Sequence, residues 1–133
     1  MESIKDIQNI DQNLVVNITG DFDKSLRPQT YKEKRVFFMT PQTLNNDIIL
    51  GAIDVESIVL LIFDEAHRAL GDYAYCKIIE NIEEKTEKKL GYRVVALTAT
   101  PGNDFNAIGK VIENCLISNI EVRGELDPEI KIY

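Results

Sequence analysis

Apolar residues fall along this chain in short bursts that switch between the two-residue period of a strand and the longer period of a helix. Leu14 to Thr19 is rich in β-branched residues and closes at Gly20, predicting a strand, and Arg35 to Met39 predicts a second. Between them Asp21 to Lys34 is charged, and Pro28 limits any helix there to a short piece. Thr40-Pro41 reads as a helix start, with a hydroxyl at the cap and proline at the first helical position. That helix carries Leu44, Ile48 and Ile49 on one side and stops at Gly51. Ile58 to Phe63 is unbroken apolar sequence, as expected of a strand buried on both faces. Asp72 reads as the cap of a helix from Tyr73 to Lys89, ended by Gly91, with Tyr75, Ile78, Ile79 and Ile82 on its buried face. Arg93 to Leu97 predicts a fourth strand that hands over to Thr98-Ala99-Thr100-Pro101-Gly102. Asn103 or Asp104 opens a last helix with Phe105, Ile108, Ile112 and Cys115 inward, and Ile120 to Val122 and Ile130 to Ile132 read as short strand pieces. Met1 to Gln12 holds only a weak helical stripe of Ile4, Ile7 and Ile10. Strand and helix alternate, so the class is α/β with a mainly parallel sheet.

The apolar strand delivers two adjacent carboxylates, Asp64 and Glu65, to the carboxyl edge of that sheet, where α/β proteins place their ligands. An aspartate there suits holding a hydrated Mg²⁺ beside a nucleotide, and the following glutamate suits orienting an attacking water. The same residues also read as a core strand followed by an acidic helix cap.

Composition narrows the partners. The 133 residues make one ordinary domain or part of a larger one, with 44% hydrophobic and 28% charged residues. A formal net charge of −7 excludes nucleic-acid binding through a broad basic surface, so any such contact is local or supplied by other regions. Cys76 and Cys115 lack metal-ligand spacing and read as two buried, reduced thiols. No secretory pattern follows Met1, and the longest apolar run is too short to span a bilayer, which predicts a soluble protein that stays inside the cell.

Asp64-Glu65-Ala66-His67, with Thr98-Ala99-Thr100 ending the next strand about thirty residues later, resembles motifs II and III of superfamily-two helicases. Arg35 to Asp47, with its Thr-Pro-Gln and Asn-Asp words, and Ala69 to Tyr75, with Gly-Asp-Tyr-Ala-Tyr, are similar to the Fanconi anaemia complementation group M and archaeal Hef branch. The similarity runs from roughly Leu14 to Tyr133. The resemblance implies a RecA-like three-layer fold, ATP and Mg²⁺ as cofactors, and DNA, branched or double-stranded, as the partner. It implies that Asp64 ligates Mg²⁺ through water, that Glu65 is the base or water-positioning group, and that His67 lies beside the nucleotide at the seam between two lobes. Thr98 and Thr100 would couple hydrolysis to strand movement. Thr40, Pro41 and Gln42 (the motif Ib region) would touch the DNA backbone, as would Thr19 and Gly20. The tail Ile120 to Arg123, with Tyr133, looks more like the eukaryotic members, which implies a nuclear protein. Each residue also has a plainer reading: a satisfied histidine for His67, and helix caps for Thr98, Thr100 and Thr40.

The chain departs from the family in having no Gly-x-x-x-x-Gly-Lys phosphate loop. Lys85-Thr86 follows Glu84, and Gly109-Lys110 precedes Val111, so neither serves. The adenine-reading segment and the second lobe with its arginine finger are also missing; that arginine alone contributes on the order of a thousandfold or more. Residues 1–133 are therefore expected to be part of a first RecA-like, ATP-binding lobe, with its phosphate-loop strand absent, and not to hydrolyse ATP alone. Without that strand, Arg93 to Leu97 is expected to present a bare sheet edge. The function implied is part of an ATP-dependent helicase or translocase that remodels forks and junctions in DNA repair. A non-catalytic remnant that binds DNA or a protein, or an RNA-directed relative, are the alternatives. Repair-protein partners are not readable from these residues.

Overall fold

The computed structural model describes residues 11–71, 73–86, 91–99 and 105–120. Its elements run β1 (Val15–Ile18), α1 (Arg27–Glu33), β2 (Val36–Met39), α2 (Pro41–Leu50), β3 (Leu60–Phe63), α3 (Ala74–Lys85), β4 (Arg93–Ala96) and α4 (Phe105–Asn114), with single 3₁₀ turns between several of them. All four strands follow the predicted order and pair in parallel. Among the described residues they form two two-stranded sheets: β1 with β2, Ile18 opposite Met39, and β3 with β4, Phe63 opposite Ala96.

Local chemistry sets the element ends. The Thr40 hydroxyl accepts the Thr43 N–H at 3.3 Å, Pro41 starts α2, and Gly51 ends it at φ 72°, a left-handed conformation that costs an L side chain about 1–2 kcal/mol. Lys85 Nζ then donates to the Ile48 carbonyl at 2.6 Å, placing a cation on the open end of α2. Pro28 lies in the first turn of α1, which stays at the expected short length. The predicted end of α3 at Lys89 is corrected. Thr86 turns extended at φ −109° and ψ 134°, and both its N–H and its hydroxyl donate to the Ile82 carbonyl, so the helix closes at Lys85.

The core lies between the inner face of β3–β4 and the helices α2 and α3. Leu61 and Phe63 project into a cluster with Ile48, Val55, Ala66, Ala69, Cys76, Ile78, Ile79, Ile82, Tyr92 and Cys115. Both cysteines are buried, as expected. The strand read as buried on both faces is covered on one: Leu60 is 48% and Ile62 59% exposed, because the described helices pack on the Leu61–Phe63 side only. Two helix faces are corrected likewise. Ile49, 56% exposed, lies one residue past buried Ile48 and turns outward, and Phe105, 88% exposed, is the first residue of α4. Asp72, the residues 100–104 around Thr100, the strand pieces beyond Ile120 and the stripe before Asp11 lie outside the described residues.

This one-sided burial has a direct consequence. Ile78→Ala removes a fully buried side chain and is expected to lower unfolding free energy by about 2–5 kcal/mol in urea titration. Ile62→Ala on the open face is expected to cost about 1 kcal/mol or less, and equal losses at the two positions would contradict the assignment of faces.

Candidate functional site

Hydrogen bonding between β3 and β4 continues past their last residues. The Leu97 N–H donates to the Phe63 carbonyl at 2.8 Å, and the Ala66 N–H donates to the Leu97 carbonyl at 2.9 Å. The acid turn after β3 and the threonine turn after β4 are thus joined through backbone. Asp64 and Glu65 stand exposed at the strand terminus. Asp64 Oδ1 accepts the Glu65 N–H at 3.0 Å, which steadies the carboxylate. Glu65 sits at φ 55° and ψ 43°, a left-handed conformation costing a non-glycine residue about 1–3 kcal/mol, so its side chain is aimed by a strained backbone.

His67 lies between the two turns. A hydrogen bond joins its Nδ1 to Thr98 Oγ1 at 2.8 Å, and its Nε2 lies 3.5 Å from Glu65 Oε2. The structure therefore brings together four of the residues singled out in the sequence: Asp64, Glu65, His67 and Thr98. Thr100 lies outside the described residues. Among the described residues no three potential ligands cluster to hold a metal by themselves. One exposed carboxylate suits a hydrated Mg²⁺ whose other ligands are water and phosphate.

Tyr75 is a neighbour of this turn that pattern reading placed only on a buried helix face. Its hydroxyl donates to the Asp64 carbonyl, and its ring stacks on Phe63 at a centroid distance of 4.2 Å while Tyr73 meets it edge-on at 5.1 Å. Burial pushes its phenol above the ordinary 10.0, helped by the neighbouring Tyr73 and the Asp64 charge and opposed by Arg68.

The second set of singled-out residues lies at the ends of the other strand pair. Because Ile18 is in register with Met39, Thr19-Gly20 and Thr40-Pro41-Gln42 leave the same edge of the β1–β2 sheet side by side. Thr19, Gly20, Thr40 and Gln42 are exposed, and Pro41 is half-buried. Behind them lies a buried ion pair that the sequence reading missed, Arg27 Nη1 to Asp47 Oδ1 at 2.9 Å, with the Tyr31 hydroxyl on Asp47 Oδ2 at 2.5 Å. One signal was available: Asp47 stands three residues after Leu44 and next to Ile48, a carboxylate on the apolar side of α2.

Residues 1–103 match the profile of the family described as type III restriction enzyme, res subunit. The chain is 44% identical over 128 residues to the ATP-dependent DNA helicase mph1 of Sclerotinia sclerotiorum, covering 96% of this chain and 10% of that protein. It is 38% identical over 133 residues to the Fanconi anemia group M protein homolog of Mus musculus, covering 100% of this chain and 6% of that one. The Hef helicase domain of Pyrococcus furiosus superposes with a TM-score of 0.80 at 36% identity, covering 94% of this chain and 26% of that chain. The chain therefore belongs to the res-subunit family, as a superfamily-two relative of the Mph1, Fanconi group M and Hef type with a RecA-like fold. It spans about a tenth of the length of the first curated relatives it matches.

Several groups in this fold hold their protons more tightly than in the open chain. Burial and the Cys76 thiol push Cys115 up to about 11. Burial and then the Asp47 hydrogen bond raise Tyr31, and burial and then the Glu83 hydrogen bond raise Tyr92. Below about pH 8 both folded and unfolded chains keep these protons, so stability is unaffected. Above it the unfolded chain releases protons that the fold retains, and stability falls as pH rises. Urea midpoints measured from pH 8 to 10.5 are expected to fall, more shallowly for Tyr31→Phe than for the native chain; a flat or rising profile would contradict these environments.

Proposed function

We propose that the chain works as part of the first RecA-like lobe of an ATP-dependent DNA helicase or translocase that remodels branched DNA in repair. The observation that carries this reading is the contact of His67 with Thr98 at 2.8 Å beside Glu65 at 3.5 Å, which links the acid turn to the threonine turn at one sheet edge. In this reading Asp64 holds Mg²⁺ through water and Glu65 orients the attacking water or takes its proton. His67 senses the state of that carboxylate and passes it to Thr98, with Thr100 as its companion. When bound, ATP·Mg²⁺ supplies the free energy of phosphoryl transfer; the chain's own residues position water and relay the change.

The DNA side of the reading rests on the second sheet edge. The Thr40 hydroxyl, the Gln42 amide at the helix start and the neighbouring Thr19-Gly20 turn suit the backbone phosphates of a duplex, and this local contact is compatible with a net charge of −7. The name of the mph1 relative, an ATP-dependent DNA helicase, supports DNA as the partner, and a nuclear location fits that reading. The isolated chain has no phosphate loop in its sequence, and we take it to be inactive in ATP hydrolysis by itself.

Two double substitutions in the complete enzyme separate the two edges. Asp64→Ala with Glu65→Ala is expected to abolish DNA-stimulated ATP turnover and leave DNA affinity within about twofold, whereas Thr40→Ala with Gln42→Ala is expected to weaken DNA binding roughly tenfold and leave nucleotide affinity unchanged. Undiminished turnover in the first, or a loss confined to nucleotide binding in the second, would refute the assignment.

A further inference from the structure

The most deeply buried charges among the described residues are not at either sheet edge. Arg27 is 4% and Asp47 2% exposed, and taking such a pair out of water costs several kcal/mol per ion before their attraction is counted. A well-packed apolar group in their place would serve stability as well, which asks for another reason for their presence.

Their contacts supply one. Arg27 Nη1 donates to Asp47 Oδ1 at 2.9 Å, and Nη2 reaches the Phe22 carbonyl at 3.4 Å. Phe22 is itself bound to the first turn, its N–H donating to the Thr19 carbonyl at 3.0 Å. On the other side the Tyr31 hydroxyl donates to Asp47 Oδ2 at 2.5 Å and lies 3.9 Å from Met39 Sδ, and its ring meets Phe37 at 5.1 Å. Met39 immediately precedes Thr40, the cap of α2. The cluster therefore touches the chain just after one exposed turn and just before the other, and it pins both to α2 through a single carboxylate. The β1–β2 ladder sets the spacing of the two turns across the sheet. The ladder leaves open the angle at which α2 leaves it, and that angle aims the Thr40 hydroxyl and the Gln42 amide.

We propose that Arg27, Tyr31 and Asp47 form a positioning unit that holds the Thr19-Gly20 turn and the start of α2 in the one arrangement that places both on neighbouring phosphates of a DNA backbone. The inference rests on the DNA reading given above. It assigns the buried charges a role in recognition geometry and none in direct contact with DNA.

The test uses a short fluorescein-labelled DNA duplex titrated with the 133-residue chain at several salt concentrations, alongside thermal unfolding. Arg27→Met, Tyr31→Phe and Asp47→Leu together remove the charges and the hydroxyl of the cluster, fill its place with apolar side chains and leave net charge unchanged. This triple variant is expected to unfold within about 5 °C of the native chain. It is also expected to bind DNA roughly tenfold more weakly, with the slope of log affinity against log salt unchanged, because the contacts it loses are made by an uncharged hydroxyl and amide. Thr40→Ala with Gln42→Ala is expected to cost clearly less in the triple background than in the native one, since a cluster acting through those residues cannot add to their removal. A folded triple variant that binds like the native chain, or strictly additive losses, would overturn the proposal. If the triple variant fails to fold, Tyr31→Phe alone decides: it keeps the ion pair and the ring, a loss of roughly threefold in affinity supports the positioning role, and native affinity overturns it. A native chain that does not bind the duplex, or whose binding ignores Thr40→Ala with Gln42→Ala, would sink the DNA reading itself, and this inference with it.

Discussion

Two backbone hydrogen bonds made beyond the formal end of a strand pair set the geometry on which the candidate site depends. Leu97 N–H to the Phe63 carbonyl and Ala66 N–H to the Leu97 carbonyl extend the β3–β4 ladder into the turns that follow. Parallel strands direct both chain exits to the same edge, so an acid turn and a threonine turn separated by about thirty residues become neighbours without any side chain having to draw them together. The His67–Thr98 bond then acts on a distance that is already fixed.

Helix α2 ties this edge to the other one. Ile48 packs into the same core as Leu61 and Phe63, while the adjacent Asp47 faces Arg27 and Tyr31. Asn45 meets Asn81 of α3 at 2.7 Å, and Lys85 closes the end of α2. The element whose first turn carries Thr40, Pro41 and Gln42 is therefore gripped by the helix that follows the acid turn. A continuous path of packed side chains and hydrogen bonds therefore leads from one edge to the other.

Much of this arrangement was legible in the residues, and the failures have physical causes. The strand order and the caps of α2 followed from β-branched runs and from Thr40, Pro41 and Gly51, because these are local preferences that the fold does not override. The juxtaposition of Asp64, Glu65, His67 and Thr98 was reached through a family resemblance, since no local pattern states which turns become neighbours. Burial was harder to read. An unbroken apolar run, Ile58 to Phe63, looks the same whether one face or both are covered, and Ile49 and Phe105 carry helix-like spacing with nothing described above them. The Arg27–Asp47–Tyr31 cluster escaped because its members are spread over twenty residues and meet only in three dimensions. The carboxylate of Asp47 on an apolar helix side was its one visible trace. Tyr75 was read for its spacing, whereas its hydroxyl, not its ring position, brings it to Asp64.

The central claim is a division of labour between two edges of one lobe: nucleotide at the acid turn, DNA at the turns of the β1–β2 pair. Amide chemical-shift mapping of the isotope-labelled chain, titrated separately with ATP·Mg²⁺ and with a short DNA duplex, tests it most directly. The account predicts that DNA perturbs the amides of Thr19, Gly20 and Gln42 with its neighbours, and that ATP·Mg²⁺, even at weak occupancy, perturbs those of Asp64 to His67 and Thr98. DNA perturbations centred on Asp64 and Glu65, with the turns at Thr19 and Thr40 silent, would contradict it.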